Sequence, residues 1–231
     1  MAPLRRGLSL VHLYPNFLGS YGHRGNALIL AQRCRWRGIA CALREVPIAA
    51  EIPSDGDIYL LAGGEGAALA TVAEALRQQP GLHRAAERGA VVLGVGSGLP
   101  LLGERLQLPS GETITGAGLL NLESHSGPKR CVGPVVGEPL LPIEAPWLGF
   151  EDHHLLIERG PEVQAIAQLR RGRQEGAWRA NVFGTALRGP VLALNPAFAD
   201  LLLEQRLGPL PPLPLLAVER LRARFLRGLH G

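Results

Sequence analysis

Lysine is almost absent from this 231-residue chain. Lys129 is the only one, and arginine supplies nearly all of the 24 basic side chains. Against 20 acidic residues they leave a net charge of only +4. The clusters "RCRWR" (33–37) and "RLRARFLR" (220–227) read as solvated helix faces. No recognition motif accompanies them, so no nucleic-acid partner is expected. Cysteine is scarce as well. Cys34, Cys41 and Cys131 form an odd count without paired spacing, which excludes a disulfide framework and a zinc site from the expectations. Long apolar runs are missing, so no membrane span is expected. The basic "MAPLRRG" is followed by "LSLVHLY", which is too short for a signal-peptide core and is interrupted by His12. A cytoplasmic setting is the default expectation, and nothing calls for a cofactor.

What is present suits a globular chain. With 46% hydrophobic residues, a sizeable core is possible. The 30 glycines and 19 prolines are scattered as turn punctuation and form no low-complexity tract. No internal repeat is visible.

The first half alternates strand and helix. "LSLVHLY" (8–14) predicts a strand ended by Pro15, and "YGHRGN" a loop with Asn26 as a helix cap. "ALILAQRCRWRG" has a helical pattern that Gly38 terminates. "IACALREVP" and "DIYLLAGG" predict two more strands. Between "AALATV…" and "…AAERG" lies helix with a break at Pro80. "AVVLGVG" is a fourth strand, and "LPLLGERL" starts a helix. This order implies a parallel sheet covered on both faces. Ligands bind such sheets beyond the carboxyl ends of the strands. The "AGGEG" and "GVGSG" turns both lie there, so they should converge on one crevice.

The second half is less regular. "GAGLLNLES" and "KRCVGPVVG" predict two strands of an antiparallel extension, and "WLGFEDHH" a strand end with polar residues. "ANVFGTALRGPVLALNPAFADLLLEQRLG" reads as strand, turn and helix, with Asn195 and Pro196 at the helix start. The expected division is a main domain at 1–207, then a proline-rich connector and amphipathic basic helix at 208–231. Val218, Leu221, Phe225 and Leu229 share one side of that helix. It is expected to dock on its own domain; a partner-binding role is the alternative.

The segments "LYPNFLGSYGHRGN", "DIYLLAGGEG", "GVGSGLPLLG", "GAGLLNLES", "GFEDH" and "NVFGTALRGPVLALNPAFADLLL" occur in one order over about residues 10–205. Together they resemble class I glutamine amidotransferases of the cobyric-acid-synthase-like type. The likeness is greatest to the glutaminase subunits of lipid II isoglutaminyl synthases. The resemblance implies an α/β, flavodoxin-like fold with a mostly parallel sheet, helices on both faces and an antiparallel extension. It also implies glutamine hydrolysis, with ammonia passed to a Mur-ligase-like partner that amidates an ATP-activated carboxylate.

That chemistry needs a cysteine thiolate to attack the amide and a histidine to move the proton. The family's turn, G-x-C-G-G-Y-Q-x-L-G, is "GVGSGLPLLG" here, so Gly96 stands at the cysteine position. The family's G-T-Y-L-H-G-P is "GTALRGP", which puts Arg188 at the histidine position. Arginine stays protonated and is no general base. The glycine turn G-G-G-x-D-R is "GGEGAA", with Glu65 at a glycine position. A carboxylate there opposes a developing oxyanion. Arg130 matches a glutamine-binding arginine, and Gly63, Gly64, Glu65 and Gly98 complete the substrate-binding expectation. Glu151 and His153 match the family's F-E-N-H segment, whose Asn is Asp152 here.

The resulting expectation is a catalytically degenerate subunit that keeps the fold and the Mur-ligase-like partner. One alternative is an active enzyme with a replacement nucleophile, Ser97, and His153 as base. Ser97 as a helix cap is the plainer role. Cys131 is expected as a packed hydrophobe. The other alternative is a sensor that holds glutamine or an anion near Arg188 and Arg130, with a possible Arg188–Glu65 pair.

Overall fold

A computed structural model describes residues 7–228. In its first half β1 (Leu8–Leu13) is followed by α1 (Gly25–Trp36), β2 (Cys41–Val46) and β3 (Ile58–Leu61). Next come α2 (Ala67–Gln78), α3 (Gly81–Glu87), β4 (Val91–Val95) and α4 (Gly98–Leu102). Two short strands, β5 (Arg105–Gln107) and β6 (Thr113–Thr115), precede the long β7 (Leu122–Pro139) and β8 (Trp147–Arg159). Then follow β9 (Ala167–Leu169), β10 (Gln174–Glu175), β11 (Ala177–Arg179) and β12 (Val182–Thr185). Helices α5 (Val191–Leu194), α6 (Pro196–Leu207) and α7 (Leu216–Gly228) end the described chain.

The first sheet has the order β11-β12-β4-β3-β1-β2 and is parallel except for β11 at one edge. Strands β3 and β4, "IYLL" and "VVLGV", bury every residue. Continuous apolar runs of this kind belong to strands covered on both faces. Along β3 the faces alternate. Tyr59 and Leu61 pack with Val72 and Leu76 of α2 and Leu82 of α3. Ile58 and Leu60 pack with Leu30 of α1 and Phe198 and Leu202 of α6. Each such Leu or Ile side chain contributes about 1.5–3 kcal/mol by leaving water. Phe198 touches Trp147 and Phe183 edge-on, at centroid distances of 5.2 and 5.7 Å.

The antiparallel extension is a second sheet, β10-β9-β7-β5-β6, with β8 paired to β7. The two strands expected over 116–137 are one strand. Its pairing with β8 shifts between Ser126 and Cys131, where Pro128 has no N–H to give. The chain crosses back to the first sheet between β10 and β11.

Several local expectations change. Asn26 lies inside α1 and does not cap it. Its Nδ2 donates to the His23 and Gly189 carbonyls, and its Oδ1 accepts from Leu192 N–H. The helix expected from "LPLLGERL" stops at Leu102. Gly103 approaches β7 so closely that a Cβ there would lie 2.5 Å from Leu122. Pro196 does start α6, but the Asn195 side chain bonds the Leu148 N–H and C=O and ties α6 to β8.

No helix among the described residues is long and apolar enough to cross a membrane. α7 lies against its own chain, with Val218 and Phe225 half-buried. Leu221, expected on that face, is exposed. The buried member is Arg222, whose Nη2 donates to the Pro146 carbonyl at 2.7 Å. The expected Leu229 contact lies outside the described residues.

Candidate functional site

Three turns meet at the carboxyl ends of the parallel strands: 62–66 after β3, 96–97 after β4 and 186–190 after β12. They open into a crevice of about 410 Å³. A larger, more open groove of about 960 Å³ runs along α1 past Leu28, Gln32 and Pro190. Among the side chains that line it only Arg35 is formally charged, so the crevice is where polar groups converge.

Gly96 sits at the tip of the β4 turn with φ +63°. Its N–H donates to the Thr185 carbonyl at 2.8 Å. A Cβ at this position would lie 2.7 Å from His23 Cε1 and 3.4 Å from Arg188 Nη1. His23 therefore fills the volume into which a side chain at 96 would project. The histidine is 2% exposed, and its Nδ1 accepts from Gly63 N–H at 2.8 Å. That bond places the ring proton on Nε2. Burial first, then the charges of Arg188 and His12, push its pKa down to about 4, so the ring is neutral near pH 7. His23 was not among the expected site residues. The signal was available: "YGHRGN" follows β1, and loops at that end of a parallel sheet face the ligand crevice.

Ser97 is held by the neighbouring turn. Its Oγ donates to the Gly64 carbonyl at 2.5 Å and accepts from Gly64 N–H at 3.1 Å. It does not cap α4. Gly98 is a packing glycine, since a Cβ there would lie 2.3 Å from the Leu61 carbonyl oxygen. Gly63 lies behind the crevice against His23 and Ser97, whereas Gly64 and Glu65 line it.

The opposite wall comes from β7 and β8. Asp152 organises both arginines there. Its carboxylate pairs with Arg130, with Nε at 2.7 Å and Nη2 at 2.5 Å. Its carbonyl accepts from Arg188 Nε at 3.0 Å. His153 accepts Leu155 N–H on Nδ1 at 3.1 Å, and its Nε2 lies 3.8 Å from Glu151 Oε1. Burial lowers the His153 pKa, although Glu151 opposes that shift. Glu151 is itself engaged by both Arg173 nitrogens at 2.9 and 2.8 Å. Cys131 lies beside Arg173 outside the crevice lining, and Cys34 and Cys41 pack near α1 and β2. The rest of the lining is largely apolar and includes Leu69, Pro100, Leu106, Leu108 and Leu155.

The four acidic and basic side chains on the crevice wall, Glu65, Arg130, Asp152 and Arg188, balance in formal charge. No group of three His, Cys, Asp or Glu side chains among the described residues is placed to hold a metal ion. The arrangement can hold a small polar molecule against an apolar wall. It offers no thiol at the strand-to-helix turn.

The model of the CobB/CobQ-like glutamine amidotransferase domain family matches residues 9–196. A GatD subunit of lipid II isoglutaminyl synthase (glutamine-hydrolysing) from Staphylococcus aureus is 30% identical over 206 residues, covering 86% of this chain and 84% of that one. Cobyric acid synthase of Xanthobacter autotrophicus is 34% identical over 151 residues, but the match covers 60% of this chain and only 30% of that longer protein. Among solved structures, a glutamine amidotransferase superposes with a TM-score of 0.58 at 15% identity, over 85% of this chain and 98% of its own. One from Thermotoga maritima gives 0.54 at 13% identity, over 95% and 94%. At these identities the structural matches speak for the fold alone.

Proposed function

The chain belongs to the CobB/CobQ-like glutamine amidotransferase family, and on that premise we propose that it is a non-hydrolysing subunit of an amide-forming enzyme. The observation that carries this reading is at position 96. A glycine stands at the strand-to-helix tip, and the His23 ring occupies the space of the missing side chain. A thiolate nucleophile has no place there, and loss of a nucleophile costs on the order of 10⁶-fold in hydrolases. Arg188 stands at the second family position, and an arginine side chain has no acceptor to serve as general base. The partner in this reading is a Mur-ligase-like protein that activates a carboxylate, in peptidoglycan-precursor amidation or a related pathway. The likeness to a named lipid II isoglutaminyl synthase subunit supports it. The subunit would stabilise that partner or shape its amine supply.

Ser97 as a replacement nucleophile is the weaker alternative, because both of its hydrogen-bonding roles are taken by Gly64. The binding-module alternative has one observation in its favour, the open crevice with Arg130 and Arg188 on its wall.

The test is release of labelled ammonia and glutamate from isotopically labelled glutamine, by the purified protein alone and with a Mur-ligase-like partner. The expected outcome is no turnover in either setting, together with a stable complex. Turnover by the natural chain would overturn the reading.

A further inference from the structure

Glu175 ends β10, where the chain leaves the second sheet for the first, and is 3% exposed. Its Oε1 accepts from Thr185 Oγ1 at 2.7 Å and from Ala186 N–H at 2.9 Å. The Thr185 hydroxyl in turn accepts from Leu187 N–H at 3.2 Å. Three consecutive residues, the last of β12 and the next two, thus hang on one buried carboxylate. The next residue is Arg188, on the crevice wall. The backbones also approach closely here: a Cβ on Gly176 would lie 2.7 Å from the Gly184 carbonyl oxygen.

We propose that Glu175 is the positioning residue of the crevice, a buried staple that fixes the 185–187 turn and through it the placement of Arg188. The proposal rests on the reading that the crevice is the functional site. Glu175 makes no contact with a crevice ligand in this arrangement; it acts through the turn.

The groups facing it make the staple sensitive to protons. Behind the turn a cavity of about 330 Å³ holds Glu175 together with Glu151, His153 and Arg159 of β8 and Arg173. Arg159 spends Nε and Nη2 on the Gly176 carbonyl and Nη1 on Gln174. It lends Glu175 charge without a hydrogen bond. Arg173 is committed to Glu151. Glu175 Oε2 is buried without a hydrogen-bond partner among the described residues. Burial raises the carboxyl to about 7, the bonds from Thr185 and Ala186 and the charge of Arg159 opposing, and Glu151 adding to the rise. Below that pH the staple is a neutral acid. Above it a charge sits in the interior without a direct ion pair, and opening the turn lets water reach it.

Hydrogen exchange of the 186–188 amides in the full chain tests this. Wild type, Glu175→Gln and Glu175→Ala are compared at pH 6 and 8, corrected for intrinsic exchange. Glutamine keeps an acceptor for Thr185 and Ala186 but cannot ionise; alanine removes the staple. The expected result for Glu175→Ala is at least tenfold faster exchange at 186–188, with β4 still protected. Glu175→Gln restores most of the protection, and only wild type loosens further from pH 6 to 8. Unchanged protection in Glu175→Ala would overturn the proposal. So would an equal loss across β4 and the turn, or a wild-type pH response in Glu175→Gln. The readout needs neither glutamine nor a partner, so its failure is separate from failure of the non-hydrolysing reading.

Discussion

The two sheets use their strands in opposite ways. In the first, β3 and β4 hide every residue. In the second, β8 from Gly149 onward alternates between sheltered and exposed positions, so that Glu151 is buried between exposed Phe150 and half-buried Asp152. The central strands of the first sheet spend their side chains on packing, and the sheet's contribution to the crevice is made by the turns at its carboxyl ends. The second sheet keeps one face wet and delivers Arg130, Asp152 and His153 as side chains. The crevice joins a packed scaffold on one side to a polar ribbon on the other. Changes to the scaffold should therefore register as stability, and changes to the ribbon as binding.

The sharpest way to break that contrast is to remove one large side chain from each. Phe198 is fully buried between Trp147 and Phe183. Phe198→Ala is expected to destabilise by about 3–5 kcal/mol through lost transfer energy and a cavity. Val132 on the ribbon is 63% exposed. Val132→Ala is expected to change stability by no more than about 0.5 kcal/mol. Urea unfolding of both variants measures the difference. Comparable losses would mean that the ribbon is part of the core.

The second prediction concerns proton linkage, where scaffold and crevice oppose each other. The folded-state pKa of Glu175 is raised from 4.5 to about 7. The folded chain then holds a proton that the unfolded chain has released, so this group lowers stability as pH rises from about 4.5 to about 7. His23 is lowered from 6.5 to about 4. Between those values the unfolded chain binds the extra proton, so this group raises stability with pH. Each shift corresponds to about 3 kcal/mol at most. Between pH 4.5 and 6.5 these two slopes oppose each other, and the lowered pKa values of His12 and His153 add to the rise with pH. Relative to wild type, Glu175→Gln should make stability rise more steeply with pH across that window, and His23→Gln less steeply. Denaturant midpoints at pH 4.5, 5.5 and 6.5 read the slopes. Parallel curves for the two variants would refute the pairing.

Most of the scaffold was legible in the residues. Unbroken apolar runs next to glycine turns mark buried parallel strands, and the 3.6-residue period of α2 is plain, whereas α1 buries Asn26 and Arg33 on its inner face and shows little apolar period. The second sheet was harder. "GAGLLNLES" and "KRCVGPVVG" look like separate strands because Gly127 and Pro128 interrupt the pattern, yet β8 pairs with both sides of the interruption. At the site, Gly96, Arg188 and Arg130 were visible from motif positions, and all three line the crevice. His23 was not: its loop after β1 faces the crevice, but its contact with Gly96, 73 positions along the chain, is not written in the local pattern. Glu175 was hidden for the same reason. A lone carboxylate in a short strand reads as surface until the turn from the other sheet closes over it.

His23 also bears on what the proposed catalytic pair would require at position 96. Installing the cysteine and histidine that the resemblance implies, by Gly96→Cys and Arg188→His, puts a Cβ 2.7 Å from His23 Cε1, at a backbone φ of +63°. A non-glycine residue held there carries about 1–3 kcal/mol of strain. The added contact forces the imidazole to move, and with it the Gly63 hydrogen bond that shapes the turn. The double variant is therefore expected to fold with reduced stability and to show no glutamine turnover. Adding His23→Ala opens the volume, at the loss of the Gly63 bond. If turnover appears only in the triple variant, three positions hold the site closed together. Turnover in the double variant would instead place the barrier at Gly96 and Arg188 alone, with His23 a side chain that yields.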